Sequence, residues 1–353
     1  MAFFNGLMKF GYYLINTYVP ELDGPSPELY AHWLEQIDAA EDLGFDSLWV
    51  TEHHFRLFGG MMPNPQLLLT AAAQRTRRLR LGSSVSLVPM HHPIRIAEDF
   101  AMLDLLSNGR VNFGAGRGMS SHEYAVFGED WSTAQARLLE ELEIIRRAWT
   151  DEVLEWDGEY YHYPSVTVRP KPSQQPHPPI YVTAQKDPDS FQTVGRRGYH
   201  LMTVPWIFTN EIQRTRVELY LEALREANHS ERNHEVFVMY PAHVGDSDGE
   251  ARADAIEPWH RWRAFVLAEL GIDPSKGSLY DERLSHFNYD MMVAQNRAIF
   301  GGPETCVRHL QRICEIVRPT HIGLTFHFGG LSQKKILKSM ERFGRFVIPA
   351  LKQ

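Results

Sequence analysis

Short apolar segments alternate along this chain with amphipathic segments of helical periodicity, and this alternation limits the fold more than any other feature. Such a pattern is typical of β-α units, whose strands pair in parallel. The predicted strands are Lys9–Leu14, Ser47–Thr51, Leu79–Val88, Val111–Gly116, Ile180–Ala184, Leu201–Val204, Val236–Val244 and His321–Phe326. The predicted helices are Ser26–Leu43, Pro65–Thr76, Pro93–Leu106, Thr133–Trp149, Ser190–Arg196, Glu211–Ala227 and Gln333–Ala350.

Eight such strands, with no repeat of a nucleotide-binding half, favour a closed α/β barrel of the (β/α)8 TIM type over an open doubly wound sheet. A hairpin is predicted at Val153–Tyr163, with its turn at Asp157-Gly158. The stretch Asp246–Pro303 is too long for one crossover helix, and it is rich in Trp, Phe and Tyr, including Tyr280. We interpret 246–303 as an insertion near the carboxyl-terminal end of the barrel, either a lid over its mouth or an extra structural helix pair.

Composition narrows the class of protein. Of 353 residues, 43% are hydrophobic and 23% are charged, which excludes disordered and collagen-like chains. A net charge of −8 without a dense basic cluster argues against binding nucleic acid or anionic membranes. The two cysteines, Cys306 and Cys314, lie too far apart in one helix to form a disulfide. The first nine residues show no secretory leader, so a cytoplasmic location is expected.

The second predicted strand delivers Glu52, His53 and His54 to its carboxyl end. The carboxyl ends of parallel strands carry the active sites of α/β proteins, so we place the chemistry here. Because side chains alternate along a strand, Glu52 and His54 share one side and His53 faces the other. A purely structural role is the alternative for His54. A metal hydrolase is rejected, because the chain has no His-Glu-x-x-His or Cys-x-x-Cys spacing.

The fourth strand ends in Gly114-Ala115-Gly116-Arg117-Gly118. This is no dinucleotide fingerprint, because Met119 follows and no helix begins at once. Small neighbours let a ligand approach the backbone, and the Arg117 guanidinium can grip a phosphate with two hydrogen bonds. The alternative for Arg117 is a salt bridge to a carboxylate such as Glu123.

A second anion site is predicted where the fifth strand passes into a helix at 183–190. The free amides of a helix N-terminus attract anions, and Lys186 and Ser190 add a charge and a hydroxyl. Asp187 as N-cap would compete for the same amides. Trp206, just after the sixth strand, is a candidate wall for a flat ring, and a core position is its alternative.

Taken together, several short motifs make the chain resemble the bacterial luciferase-like flavin-dependent monooxygenases over nearly its whole length. The motifs are Lys9-Phe10-Gly11, Glu52 to Phe55, Gly82 to Pro89, His92-Pro93, Gly109-Arg110, Gly114 with Arg117-Gly118, Val126 to Gly128, Trp206 and Gly302-Pro303. The resemblance implies one barrel domain over 1–353 with a mobile lid at 246–296. It also implies a homodimer, and reduced FMN supplied by a separate NAD(P)H:flavin reductase.

The resemblance further implies that reduced FMN and dioxygen oxygenate a small organic substrate, with His53 as the catalytic residue and Arg117 on the phosphate. A non-prolyl cis peptide under the flavin ring would fall at Ser84-Val85. The full set of predicted cofactor contacts is Glu52, Ser84, Val85, Arg117, Met119, Thr183, Ala184, Gln185, Lys186, Ser190 and Trp206. Gly116 stands where the luciferase alpha subunit has cysteine, and Gln185-Lys186 where it has Glu-Ser, which favours flavin chemistry without light emission. A deazaflavin-dependent hydride transfer and a non-catalytic flavin carrier are the alternatives.

Overall fold

Eight parallel strands close into a ring around an apolar interior in the computed structural model, which describes residues 8–15, 17–269 and 287–352. Each strand pairs with the next along the chain, and the eighth pairs with the first. The strands are β1 Lys9–Leu14, β2 Ser47–Val50, β3 Arg80–Ser83, β4 Val111–Gly116, β5 Ile180–Thr183, β6 His200–Thr203, β7 Val236–Val244 and β8 His321–Thr325. The predicted (β/α)8 TIM barrel is confirmed.

Helices surround the ring, and most begin or end within two residues of their predicted bounds. They are α1 Ser26–Asp42, α2 Pro65–Arg75, α3 Pro93–Leu106, α4 Ala134–Thr150, α5 Pro188–Arg196, α6 Asn210–Glu226, α7 Pro303–Val317 and α8 Gln333–Arg342. The single helix predicted over Gln333–Ala350 is wrong in one respect, because a π-helical turn at Phe343–Val347 separates α8 from Ile348–Lys352.

The strand predicted over Leu79–Val88 is also wrong as a continuous element. It divides into β3 and the short strand Ser86–Leu87, and the peptide bond between Ser84 and Val85 is cis. Both pieces pair with β4, so the break bends the chain without leaving the sheet. The cis bond that the resemblance implied is therefore present at the carboxyl end of β3.

Trp49 lies in the barrel interior and is fully buried. Glycines on both neighbouring strands make room for it, because a Cβ at Gly82 would lie 2.2 Å from the Trp49 ring and one at Gly11 would lie 2.8 Å from it. The indole donates to Ser47 Oγ at 2.8 Å, which also contacts His321 Nε2 at 2.8 Å. A polar chain thus closes the amino-terminal end of the barrel.

Further elements lie outside the eight strands and the helices that surround them. The hairpin pairs Leu154–Asp157 with His162–Val166, as predicted, and short helices lie at Pro20–Asp23 and Ser121–Phe127. Within 246–303 the structure has the helices Asp248–Glu269 and Tyr289–Ala294. A short strand, Ile299–Gly301, pairs in parallel with the carboxyl end of β7. Tyr280 lies outside the described residues. No helix among the described residues is long and apolar enough to cross a membrane.

Candidate active site

The end of β2 separates its three ionisable side chains as the alternation predicted. Glu52 and His54 lie on one side, with His54 Nε2 3.2 Å from Glu52 Oε1, and both are buried. The imidazole of His53 lies on the other side against the ring of Phe58, at 5.7 Å between centroids. Only one of the two imidazoles is therefore held by the carboxylate.

Glu52 binds the segment that follows the cis peptide. Its Oε2 accepts from the Leu87 N–H at 3.0 Å and from Ser86 Oγ at 3.2 Å, and its Oε1 lies 2.5 Å from His91 Nε2. Burial disfavours the carboxylate charge, but the hydrogen bonds from His54, His91 and Leu87 outweigh it and lower the pKa of Glu52 to about 2. Glu52 is thus ionised at neutral pH and fixes the end of β3 to the end of β2.

His91 was missed by sequence reasoning. It lies 39 residues after Glu52, and nothing in the local pattern links the two. Burial favours its neutral form, yet the Glu52 carboxylate prevails and raises the pKa of His91. The only sequence signal was its place two residues before Pro93, which begins α3.

His53 is held in place by packing. Its ring nitrogens make no hydrogen bond to any described residue, and a Cβ at Gly59 would lie 2.4 Å from His53 Cδ2. Burial, with a smaller effect from the Arg56 cation, lowers the pKa of His53 to about 4. The imidazole is therefore neutral at neutral pH and offers a proton acceptor.

The cis peptide at the end of β3 is fixed from both sides. Tyr13 donates its hydroxyl to the Ser84 carbonyl at 3.0 Å, and Ser84 Oγ contacts the Tyr13 hydroxyl and Met202 Sδ. Gly116 lies alongside, where an added Cβ would come within 2.6 Å of Val85 Cγ2 and 2.7 Å of Thr183 Oγ1. A cysteine at 116 would not fit this arrangement without movement.

Arg117 extends from the end of β4 as an exposed side chain whose guanidinium lies 4.7 Å above the ring of Trp131. The expected alternative, a salt bridge to Glu123, is not found. Glu123 instead accepts from the His54 N–H at 3.1 Å and lies 3.7 Å from Arg56 Nε. Among the described residues no carboxylate pairs with Arg117, and Met119 beside it is exposed.

The predicted anion site at the start of α5 is partly filled by the protein itself. Asp187 caps the helix by accepting from the Asp189 N–H at 3.1 Å, and Ser190 donates its hydroxyl to the Asp187 carbonyl. Gln185 Oε1 accepts from the Val204 N–H at 3.1 Å. Ala184 is buried, Thr183 is half-buried and Lys186 is exposed. Asp187 is therefore the N-cap of α5, and its competition with an anion stays a prediction.

Trp206 lies beyond β6 and is 5% exposed. Its ring packs edge to face against Trp262 of the helix Asp248–Glu269, at 4.8 Å between centroids. Arg297 donates to the Trp206 carbonyl through Nε at 2.9 Å. Trp206 therefore has the core position that was its alternative, in an aromatic cluster at the mouth of the barrel, and its role as a wall for a flat ring stays a prediction. Trp262 and Arg297 were not identified from the sequence.

All the predicted site residues lie at the carboxyl-terminal end of the barrel, on the segments that follow β2, β3, β4, β5 and β6. Glu52 and His53 follow β2 and the Ser84-Val85 bond follows the adjacent β3, where Glu52 binds Ser86 and Leu87 just beyond that bond. In the described ranges no group of three or more His, Cys, Asp or Glu side chains is arranged to hold a metal ion.

Comparisons with known proteins agree with this architecture. A family model described as luciferase-like monooxygenase matches residues 8–318. An alkanal monooxygenase alpha chain of the Kryptophanaron alfredi symbiont is 26% identical over 373 residues, which span 98% of this chain and 99% of the relative. The oxygenase component of a flavin-dependent trigonelline monooxygenase of Acinetobacter baylyi is 34% identical over 233 residues, 65% of this chain and 63% of the relative.

Solved structures share the whole fold. The monooxygenase RslO1 of Streptomyces bottropensis superposes with a TM-score of 0.89 at 28% identity, over 97% of this chain and 99% of its own. Two structures share the fold alone. One is the oxygenating constituent of a Pseudomonas putida 3,6-diketocamphane monooxygenase in complex with FMN. It superposes with a TM-score of 0.78 at 21% identity, over 97% of this chain and 98% of its own. The other is an F420-dependent secondary alcohol dehydrogenase. It superposes with a TM-score of 0.75 at 22% identity, over 98% of this chain and 99% of its own.

The match of the family model to most of the chain and the closed eight-stranded barrel lead to one conclusion: this chain belongs to the luciferase-like monooxygenase family.

Proposed function

We propose that this protein is a flavin-dependent monooxygenase that uses reduced FMN and dioxygen to oxygenate a small organic substrate. The observation that carries the proposal is the placement of a neutral imidazole and an exposed guanidinium at the ends of β2 and β4, on either side of β3. Family membership supports the reaction class, and the trigonelline relative is itself an oxygenase component.

The residues present fit a flavin mononucleotide. Arg117 has no carboxylate partner among the described residues, and its guanidinium lies over the Trp131 ring, so its N–H groups are available to a phosphate. The absence of a side chain at Gly116 keeps Val85 and Thr183 close together as one surface. Thr183, Ala184, Gln185, Lys186, Ser190 and Met119 are proposed as further contacts, with Ser190 acting from the first turn of α5.

Bound reduced FMN supplies the electrons with which dioxygen transfers one oxygen atom to the substrate while the other leaves as water. The chain's own task is to orient, to exclude water and to move protons. His53 accepts a proton at a ring nitrogen, since burial keeps it neutral at working pH. Glu52 is too fully engaged with His54, His91 and Leu87 to act on a ligand, so we assign it to holding the β3 end in place.

Exclusion of water is assigned to the segment 246–296 as a lid. Its helix Asp248–Glu269 supports this role by bringing Trp262 against Trp206 at the mouth of the barrel. We further propose that a separate NAD(P)H:flavin reductase delivers the reduced FMN, that the protein is a cytoplasmic homodimer, and that residues 1–353 form one domain.

Incubation under labelled dioxygen tests the proposed reaction. The protein is supplied with FMN, NADH, a flavin reductase and a panel of small aldehydes, ketones and heteroaromatic compounds in 18O2. We expect one substrate to gain a single 18O atom, as measured by mass spectrometry. The control reaction omits only this protein. Equal product in both reactions, or no labelled product from any compound, would remove the oxygenase assignment.

A deazaflavin-dependent hydride transfer is the second candidate, because an F420-dependent dehydrogenase shares the fold. Titration of the protein with FMN and with F420 separates the two. Tighter binding of FMN supports the oxygenase, whereas tighter binding of F420 with alcohol-dependent reduction of that cofactor supports the alternative. A flavin carrier would bind FMN and leave every compound of the panel unlabelled.

A further inference from the structure

An aromatic group closes the mouth of the barrel, and we call it the mouth cluster: Phe58, Trp206, Trp259, Trp262 and Phe287. Its members come from the loop after β2, the segment after β6, the helix Asp248–Glu269 and the segment that follows it. Each is at most 9% exposed. Four chain segments thus meet in one apolar region.

The three indoles of the mouth cluster differ in their hydrogen bonding. Trp259 donates its Nε1–H to the Phe287 carbonyl at 3.1 Å. The Nε1 atoms of Trp206 and Trp262 are buried and have no acceptor among the described residues. Buried N–H groups are nearly always paired, and leaving one unpaired costs about 1–3 kcal/mol. Two such donors side by side indicate that a ligand atom accepts hydrogen bonds from them.

The two unpaired indoles lie beside the proposed chemistry. Their rings are in contact, at 4.8 Å between centroids, so the two unpaired donors belong to neighbouring side chains. Phe58 connects them to the site, because its ring lies 5.7 Å from Trp262 and 5.7 Å from His53. Arg297 fixes the backbone of Trp206 through its carbonyl. Phe58 therefore lies between Trp262 and His53, which places the two indoles at the same end of the barrel as the proposed chemistry.

The chemistry of the missing partner follows from the donors. A water molecule would accept from the indoles, but it would need acceptors for its own hydrogens, which an aromatic surrounding does not offer. A carbonyl oxygen has two lone pairs and no hydrogen, so it satisfies both N–H groups and leaves nothing unpaired. The carbon body of such a molecule would pack on the aromatic rings.

We propose that Trp206 and Trp262 donate their indole N–H groups to the acceptor oxygen of a neutral, largely apolar substrate such as a ketone. This inference rests on the proposed function only in calling the ligand a substrate. The two indoles then select for an acceptor atom, and Trp259 contributes apolar surface alone.

A pair of nearly isosteric probes tests the inference. Cyclohexanone and methylenecyclohexane differ by an oxygen in place of a CH2 group, and their dissociation constants are measured on the full-length protein with oxidised FMN present. We expect the protein to prefer the ketone by about 10-fold or more, since each neutral hydrogen bond contributes roughly 2- to 10-fold. The preference is a ratio, so a general loss of packing in a variant cancels.

Three substitutions assign the donors. Trp206→Phe and Trp262→Phe should each reduce the ketone preference by about 3-fold or more, and the double variant should bring it close to 1. Trp259→Phe is the matched control, because its N–H already has an acceptor, and it should keep the preference. No preference in the unaltered protein, or an equal loss in Trp259→Phe, would overturn the inference. Because no turnover is measured, failure of the oxygenase assignment would leave this result standing by itself.

Discussion

The two ends of the barrel each contain a carboxylate that binds imidazoles, and they differ in how completely their polar groups are paired. At the amino-terminal end Glu235 binds Lys9 at 2.5 Å and His321 Nδ1 at 3.0 Å, and His321 Nε2 continues to Ser47. Every ring nitrogen of His321 therefore has a partner. At the carboxyl-terminal end Glu52 is equally well bound, but the neighbouring His53 is not.

This difference separates a structural cluster from a functional one. Although burial disfavours both charges, hydrogen-bonded imidazoles lower the pKa of Glu52 and of Glu235 alike, so a shifted carboxylate alone does not identify an active site. What distinguishes the carboxyl-terminal end is the set of groups left available beside the carboxylate: His53, the exposed Arg117 and two unpaired indoles. The same division between ends is general for TIM barrels.

The strongest contrast is expected between His53→Asn and His321→Asn. Loss of a proton acceptor in the site should lower the rate of substrate oxygenation about 10³-fold, with FMN affinity within about 3-fold of the unaltered protein. His321→Asn should instead lower the free energy of unfolding by about 1–3 kcal/mol and leave the rate nearly unchanged. Steady-state kinetics and urea unfolding measure the two. Full turnover by His53→Asn would show that the available imidazole is not catalytic.

Acid sensitivity should distinguish the two carboxylates next. The folded-state pKa of Glu52 is about 2 and its ordinary value is 4.5, so the stabilisation by this charge is complete above pH 4.5 and is lost as the pH falls towards 2. That loss amounts to about 3 kcal/mol. Urea unfolding at pH 7, 4.5 and 3 should show a smaller acid loss in Glu52→Gln than in the unaltered protein.

Glu235→Gln is the matched variant for this experiment. Its effect on acid sensitivity should have the same sign, because His321 and Lys9 outweigh burial and lower the pKa of Glu235. Only Glu52→Gln should also weaken FMN binding, since only Glu52 holds the segment after the cis peptide. Identical acid profiles for Glu52→Gln and the unaltered protein would contradict the pairing of Glu52.

Arg117→Ala should weaken FMN binding about 10- to 100-fold, because charged hydrogen bonds to a phosphate contribute about 1.5–3 kcal/mol. Riboflavin lacks the phosphate, and its affinity should be unchanged by the substitution. Lys9→Ala at the other end of the barrel removes a cation without touching the site and should affect neither ligand. Isothermal titration measures all four affinities. An equal loss of FMN and riboflavin binding would mean that Arg117 does not contact the phosphate.

The smallest effect is expected from Gly59→Ala. Gly59 has φ +75°, and an added Cβ would meet the His53 ring, whereas Gly44 has φ +80° and nothing within 4 Å. Both alanines should cost about 1 kcal/mol of unfolding free energy because of the left-handed backbone. Only Gly59→Ala should also slow oxygenation, by about 10-fold, through displacement of His53. A similar slowing in Gly44→Ala would point to a general effect of stability.

The sequence predicted what depends on local pattern. All eight strands, the sides on which Glu52 and His54 lie, and the N-cap at Asp187 follow from periodicity and turn chemistry, and the cis bond at Ser84-Val85 followed from the family resemblance. It did not predict contacts between distant segments. His91 meets Glu52, Arg56 meets Glu123 and Trp262 meets Trp206 only once the barrel has closed.

The pKa of His53 belongs to the same class of properties. The burial that lowers this pKa is set by the return of the chain through Phe58 and Gly59. Sequence pattern locates strand ends, and folded packing decides which ionisable groups there remain available.

A crystal structure of the protein with FMN bound tests most directly whether the carboxyl-terminal end of the barrel is the flavin site. We predict that the phosphate lies about 3 Å from the guanidinium of Arg117, and that the ring rests against Val85 on the side that His53 faces. Density for the nucleotide at any other surface, or a phosphate remote from Arg117 in an otherwise occupied mouth, would contradict the assignment.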